Sequence, residues 1–258
     1  MQPQRIVTLT AETTEVAFAV GAGGRVVGVS GYAVRPPEAR KKPRIAAFQT
    51  AHVDRILALE PDIVLGFSDL QADIAAELIR AGVNVLITNQ RTLSETYEAI
   101  ALIGAVVGEP ERGRDLADET RAKIEAVAPP AGAARPRIYF EEWDDPLISG
   151  IAWVSELIEV AGGDDIFPEL RTRQRAPDRV VESSEVIRRN PEIIIASWCG
   201  KKARLEKIAG RPGWDMVTAV GDGQLFEIKA PDVLQPGPSL VHGARLIARI
   251  FADWRADR

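Results

Sequence analysis

The chain has 258 residues, 46% of them hydrophobic and 27% charged, with a net charge of −5 and a single cysteine, Cys199. That length allows one large domain or two lobes with a real core, and the composition is ordinary for a soluble globular protein. These numbers exclude an internal disulfide or a CxxC metal site, the basic footprint of a nucleic-acid binder, and a membrane span, because apolar runs such as Ile193–Ala196 are far too short.

The first predicted strand is Ile6-Val7-Thr8-Leu9. Met1–Arg5 precedes it without the charged start, apolar core and cleavage site of a secretory leader. A segment with helical apolar spacing follows (Val16, Ala19, Val20), closed by Gly21 and Gly23-Gly24. Ile56 to Leu65 then reads as a short helix stopped by Pro61 and a buried strand, since proline lacks the N–H and constrains the residue before it. Gly82–Ile87 reads as a further strand. From Thr92 to Val127 the apolar positions Leu93, Tyr97, Ile100, Ile103 and Val107 keep helical spacing, and Leu116 and Ile124 continue the stripe. Gly108-Glu109-Pro110 is compatible with a second helical segment beginning there, and Pro129-Pro130-Ala131-Gly132 ends it.

The same order then recurs. Arg137-Ile138-Tyr139-Phe140 matches the first strand, and Val154, Leu157, Ile158 and Ala161 match the first helix, closed by Gly162-Gly163. Val186 to Ile195, with Asn190-Pro191-Glu192, matches the Glu60-Pro61-Asp62 landmark, and Gly223–Ile228 matches Gly82–Ile87. Unalternated β-branched runs of this kind are what strands covered by helices on both faces look like. Three ordered landmarks repeated once predict an α/β fold of two similar lobes, each a mostly parallel sheet flanked by helices.

Ile6–Val29, Ile56–Leu65 with its Glu-Pro-Asp, Ala161–Phe167, and Gly213–Phe226 followed by Pro231–Ser239 carry a resemblance. Over essentially its whole length the chain resembles the helical-backbone (class III) substrate-binding proteins of ABC importers for cobalamin, iron-siderophores and haem, and most of all the cobalamin-binding members. The resemblance implies an N-terminal lobe over 1–91, one long linking helix over 92–130 and a C-terminal lobe over 131–258. It also implies a small-molecule ligand in the cleft outside the carboxyl ends of the strands.

A corrinoid offers a broad apolar face and a rim of amides, which aromatic walls and a few polar groups suit. The strand ends offer Thr10–Thr13, Tyr32, Phe48-Gln49 and Phe67-Ser68 in the first lobe. In the second they offer Trp143 within Glu141-Glu142-Trp143-Asp144-Asp145, Trp198-Cys199 and Asp232. Of these, Tyr32, Phe48, Phe67, Trp143, Trp198 and Asp232 form the candidate ligand-binding set, with Tyr32, Phe48 and Phe67 placed by the resemblance. Each has a plainer reading: Trp198 could cap the core, and the acidic run and Lys201-Lys202 could be solvated. Trp153, Trp214 and Trp254 are expected to pack, and His242 to be structural. For haem, which needs an axial Tyr or His, Tyr32 is the candidate.

No GxSxG, strand-linked GxGxxG, GxxxxGK[ST] or HExxH occurs, so binding without catalysis is expected, with no cofactor required and a cobalamin-like corrinoid as the bound ligand. The alternatives are an iron-siderophore, for which Arg35 and Arg91 are the loop candidates, haem, and a cytoplasmic metal-chelate chaperone or chelatase-like protein, for which the acidic run is the only hint. Partners in the family are importer membrane subunits, met by one exposed glutamate on each lobe; here those positions fall near Gln71–Asp73 and Leu234, neither a glutamate. A monomer is expected, periplasmic by the resemblance if a leader was trimmed and cytoplasmic if the chain as given is complete.

Overall fold

The first apolar run forms β1 (Ile6–Thr8), buried along its length and flanked on both sides by parallel neighbours. A computed structural model of the chain describes residues 2–47 and 50–258. After β1 come α1 (Ala11–Ala19), β2 (Val26–Ser30), β3 (Arg44–Ala46), α2 (Val53–Leu57), β4 (Ile63–Phe67), α3 (Ala72–Arg80) and β5 (Val85–Thr88). The five strands form one parallel sheet in the order β3-β2-β1-β4-β5. Val7, Leu9, Ile45, Ile56, Val64 and Leu78 form an apolar cluster there. Burying each such aliphatic side chain is worth about 1.5–3 kcal/mol.

This sheet belongs to a first unit made of the chain up to Arg121 together with Gln235–Ser239; the second unit comprises Ala122–Leu234 and Leu240–Arg258. The second unit holds β6 (Arg137–Asp144), β7 (Leu147–Ser149), α6 (Ala152–Val160), β8 (Asp164–Asp165), α7 (Ser183–Arg189), β9 (Ile193–Ala196), α8 (Leu205–Ala209), α9 (Thr218–Gly221), β10 (Leu225–Glu227), α10 (Ala230–Val233) and α11 (Leu240–Ala256). Its sheet runs β10-β9-β6-β7, with β8 also on β6, and is parallel except for β7. Tyr139 lies at its centre, edge-on to the rings of Phe167 and Trp214 at 5.8 and 6.1 Å between centroids. Trp214 is fully buried and its indole N–H donates to Ser183 at 2.7 Å.

The repeat read from the sequence extends to the backbone. Glu60 and Asn190, each before its proline, both adopt the left-handed conformation, at φ 46° and 44°. The following acid then ties the new strand to the first strand of its unit. The Asp62 amide donates to the Arg5 carbonyl at 2.8 Å, and its carboxylate accepts the amides of Gln4 and Arg5 at 2.6 and 2.9 Å. In the second unit the Glu192 amide donates to the Arg137 carbonyl at 2.8 Å, and its carboxylate accepts the Arg137 amide at 3.1 Å. The motif thus sets the register of β4 on β1 and of β9 on β6. Accepting two amide protons also holds the Asp62 carboxyl below its usual range.

The helical stretch after β5 consists of α4 (Leu93–Val106) and α5 (Pro110–Glu125), broken at Val107–Glu109. Thr92 caps α4 by accepting the Glu95 amide, while the Glu95 side chain returns to the Thr92 amide. Gly104 and Gly113 let the two helices touch backbone to backbone, since a Cβ on Gly104 would lie 2.5 Å from the Gly113 Cα. Helix α4 packs against α1 inside the first unit, and α5 is the helix that carries the chain from one unit into the other, at Arg121 and Ala122.

Candidate functional site

In the first sheet the strand order reverses between β1 and β4, so the loops after these strands border the place where open α/β sheets present ligand groups. After β1 the threonines bind one another. Thr8 and Thr14 hydroxyls lie 2.8 Å apart, Thr10 and Thr13 3.0 Å apart, and the Thr14 hydroxyl donates to the Thr10 carbonyl at 2.7 Å. At the end of β4, Phe67 is buried with the Arg91 guanidinium 5.3 Å from its ring centroid. Arg91 in turn donates to Asp69 at 2.8 Å and to Ser68, which stands at φ 82°. Tyr32, after β2, has 52% of its surface exposed. Phe48, with Gln49, lies outside the described residues.

In the second unit the reversal falls between β6 and β9, and the residues that follow are more heavily charged. Trp143 stands in β6 itself, because β7 pairs with it across the Trp143–Ile148 register, and is half-buried. Its indole N–H donates to the Asp145 carbonyl at 3.0 Å, and the Lys201 ammonium sits 3.9 Å from its ring centroid. Trp198 is only 2% exposed; its N–H donates to Glu141 at 3.0 Å, and Lys201 and Lys207 lie over its ring at 4.9 and 5.8 Å. Asp232 lies half-buried in α10, whose Asp232 carbonyl packs against Gly243 of α11.

The acidic run is a set of internal ion pairs rather than a solvated loop. Glu141, fully buried, accepts from Arg211, which reaches both its oxygens. Glu142 accepts two bonds from Arg179 at 2.8 and 3.0 Å, and Arg179 is itself buried. Asp144 takes Lys201 at 2.5 Å and Lys207 at 2.6 Å. Burial raises the Asp144 carboxyl's proton affinity, but the two ammonium groups outweigh it and the net shift is downward. Only Asp145 of the run is exposed. Arg179, Lys207 and Arg211 escaped the sequence reading because their partners lie far away along the chain.

The sequence profile described as periplasmic binding protein matches residues 6–231. The chain belongs to the periplasmic binding protein family. A vitamin B12-binding protein of Vibrio cholerae serotype O1 is 28% identical over 239 residues, covering 91% of this chain and 84% of the relative. Among solved structures, the periplasmic vitamin B12 binding protein of Vibrio cholerae superposes with a TM-score of 0.77 at 24% identity, covering 97% of each chain. A periplasmic heme-binding protein from Roseiflexus sp. RS-1 superposes with a TM-score of 0.83 at 23% identity, covering 98% of this chain and 99% of that one.

The two-lobed architecture is therefore that of the family, whose members bind small solutes for ABC transporters. No helix among the described residues is long and apolar enough to cross a membrane. Among the described residues there is also no group of three or more His, Cys, Asp and Glu arranged to hold a metal ion. His52 and His242 are both exposed, the former before α2 and the latter on α11. At the position expected near Gln71–Asp73, Gln71 is buried and its side-chain oxygen accepts the Phe67 amide at 3.0 Å, leaving Asp73 as the exposed acid. Gly66 allows this, since a Cβ there would strike the Gln71 carboxamide. An open groove of about 820 Å³ lies along Phe18, Gly21, Pro36 and Pro37, by the far end of α1 rather than at the strand ends.

Proposed function

We propose that this periplasmic binding protein is a non-catalytic carrier of a cobalamin-like corrinoid, acting in ABC import or corrinoid handling. The observation that carries the reading is the match over 91% of the chain to a relative named for vitamin B12 binding. Chemistry supports it: exposed Tyr32 and half-buried Trp143 follow or end strands at the carboxyl edges of their sheets, and both offer an apolar face with a polar tip. Phe67 and Trp198 back these edges from inside, and Asp232 supplies a half-buried polar group.

The test is calorimetric titration of the purified protein with cyanocobalamin, read alongside tryptophan fluorescence. All five tryptophans lie in the second unit, so quenching reports ligand at that unit. One-to-one binding at micromolar affinity or tighter, weakened about tenfold or more in Tyr32→Ala, Trp143→Ala, is the expected result. Neither heat nor quenching would refute the corrinoid reading.

A haem reading has one specific observation in its favour, the exposed phenol of Tyr32, a residue type that ligates haem iron. A Soret band on adding haemin, lost in Tyr32→Phe, would replace corrinoid with haem. Ferric siderophore, titrated beside both, completes the set.

A further inference from the structure

The chain leaves the second unit after Leu234, lies against the first unit over Gln235–Ser239, and returns at Leu240. We propose that Gln235–Ser239 is a latch on the first unit, seated when Glu12 carries a proton and loosened when Glu12 ionises. The proposal is independent of which ligand the protein carries.

The geometry is that of a polar seam short of donors. Glu12 lies in the first turn of α1, only 4% exposed. A Cβ on Gly237 would sit 3.0 Å from the Glu12 Cβ, so the segment rests directly on this side chain. Gln90, in the loop after β5, donates its amide N–H to the Pro236 carbonyl at 3.1 Å. Three side-chain oxygens around the segment have no hydrogen-bond partner among the described residues: Glu12 Oε1, Gln90 Oε1 and Ser239 Oγ. An ionised Glu12 adds only acceptors to this seam, whereas a protonated one supplies an O–H donor. A bare buried carboxylate is the costlier state, and opening the segment to water is the way to relieve it.

Among the described residues, the surrounding charges leave the ionised form without a counter-charge. Gln235–Ser239 carries no ionisable side chain, nor do β1, β2 or β4. On α1 the nearby Glu15 repels a second negative charge. In the loop after β5, Arg91 is engaged with Asp69. On α4, Glu95 is taken by the Arg91 and Thr92 amides, and Glu98 is exposed. Burial, opposed by the bond to Thr10, accordingly raises the Glu12 carboxyl from 4.5 to about 7.

The sign of the effect follows from linkage. With the latch closed Glu12 holds its proton up to about pH 7, and with it open it behaves as an ordinary glutamate. Opening therefore becomes easier as pH rises, by about tenfold per unit between the two values, and levels off above the upper one.

Native-state hydrogen exchange on the full chain tests this, following the amides of Gln235, Gly237, Ser239 and Leu240 between pH 4.5 and 8.5, corrected for intrinsic exchange. The expected result is protection that falls by one to two powers of ten between pH 5 and 7 and is flat above, with the dependence gone in Glu12→Gln. A wild-type profile no steeper than that of Glu12→Gln overturns the proposal. Should that variant fail to fold, carbon-detected titration of the wild-type Glu12 carboxyl decides. A midpoint near 7 that moves together with the Gly237 and Ser239 amide shifts supports the latch, and a midpoint near 4.5 overturns it.

Discussion

Replacing Arg211 by methionine tests whether the acidic run of β6 is structure or ligand surface. Glu141 is fully buried and Arg211 nearly so, with the guanidinium reaching both carboxylate oxygens and lying 4.5 Å from the Trp214 ring centroid. Methionine keeps much of the apolar stem and removes the charge. Glu141 then keeps the Trp198 indole N–H as a donor but has lost its counter-charge. Stranding one charge of a buried pair costs about 3–5 kcal/mol. In a chain of this size that corresponds to a fall in melting temperature of roughly 10 °C.

The assay is urea unfolding followed by tryptophan fluorescence, which reports the second unit because every tryptophan is there. Adding Glu141→Gln to Arg211→Met should restore more than half of the loss, since a neutral amide still accepts from Trp198 and no charge is left unpaired. A loss below about 1 kcal/mol in the single variant, or no recovery in the double, would refute the reasoning. Glu141 would then be reaching water or ligand rather than serving as the anchor of Trp198.

Three further outcomes follow from the same structure. Glu60→Asn should stabilise the protein by about 1 kcal/mol in urea titration, because a glutamate at φ 46° bears strain that the asparagine at the equivalent position of the second unit tolerates better. Stability should carry a contribution from Glu12 that is complete below about pH 4.5 and is lost as pH rises to about 7, worth about 3 kcal/mol in all, and Glu12→Gln should flatten that part of the pH profile. Lys201→Ala and Lys207→Ala should each cost under about 1 kcal/mol, whereas the double variant costs more than the sum, because either lysine alone still serves the buried Asp144; strict additivity in denaturant titrations would count against a shared carboxylate.

The repeated frame was legible in the sequence because it rests on local physics. Proline ends a helix, an apolar run makes a buried strand, and both happen in the same order twice, so β1, β4 and β5 and their counterparts β6, β9 and β10 fall where the pattern put them. The break at Gly108–Pro110 was equally visible, but nothing in the spacing says that α4 packs against α1, or that α4 and α5 touch backbone to backbone at Gly104 and Gly113. The acid after each proline looked like part of a short link. Its role in fixing strand register depends on amides more than fifty positions away, which no local pattern displays.

The strand ends were harder to read for a related reason. A tryptophan after a buried strand has the same local pattern whether it faces ligand or core, and what separates Trp143 from Trp198 is non-local. Arg211, remote in sequence, holds Glu141, and Glu141 holds the Trp198 N–H, so that indole is drawn inward. Trp143 instead donates two residues along its own hairpin and stays half-exposed beneath Lys201. The two units thus share a backbone plan and differ in what they set at its edge. The first presents hydroxyls, an arginine-covered phenylalanine and an open tyrosine; the second presents an indole under an ammonium group, braced by ion pairs on Glu141, Glu142 and Asp144. The frame occurs twice, and the two units diverge where their strands end, because those positions are not needed to hold the sheets together.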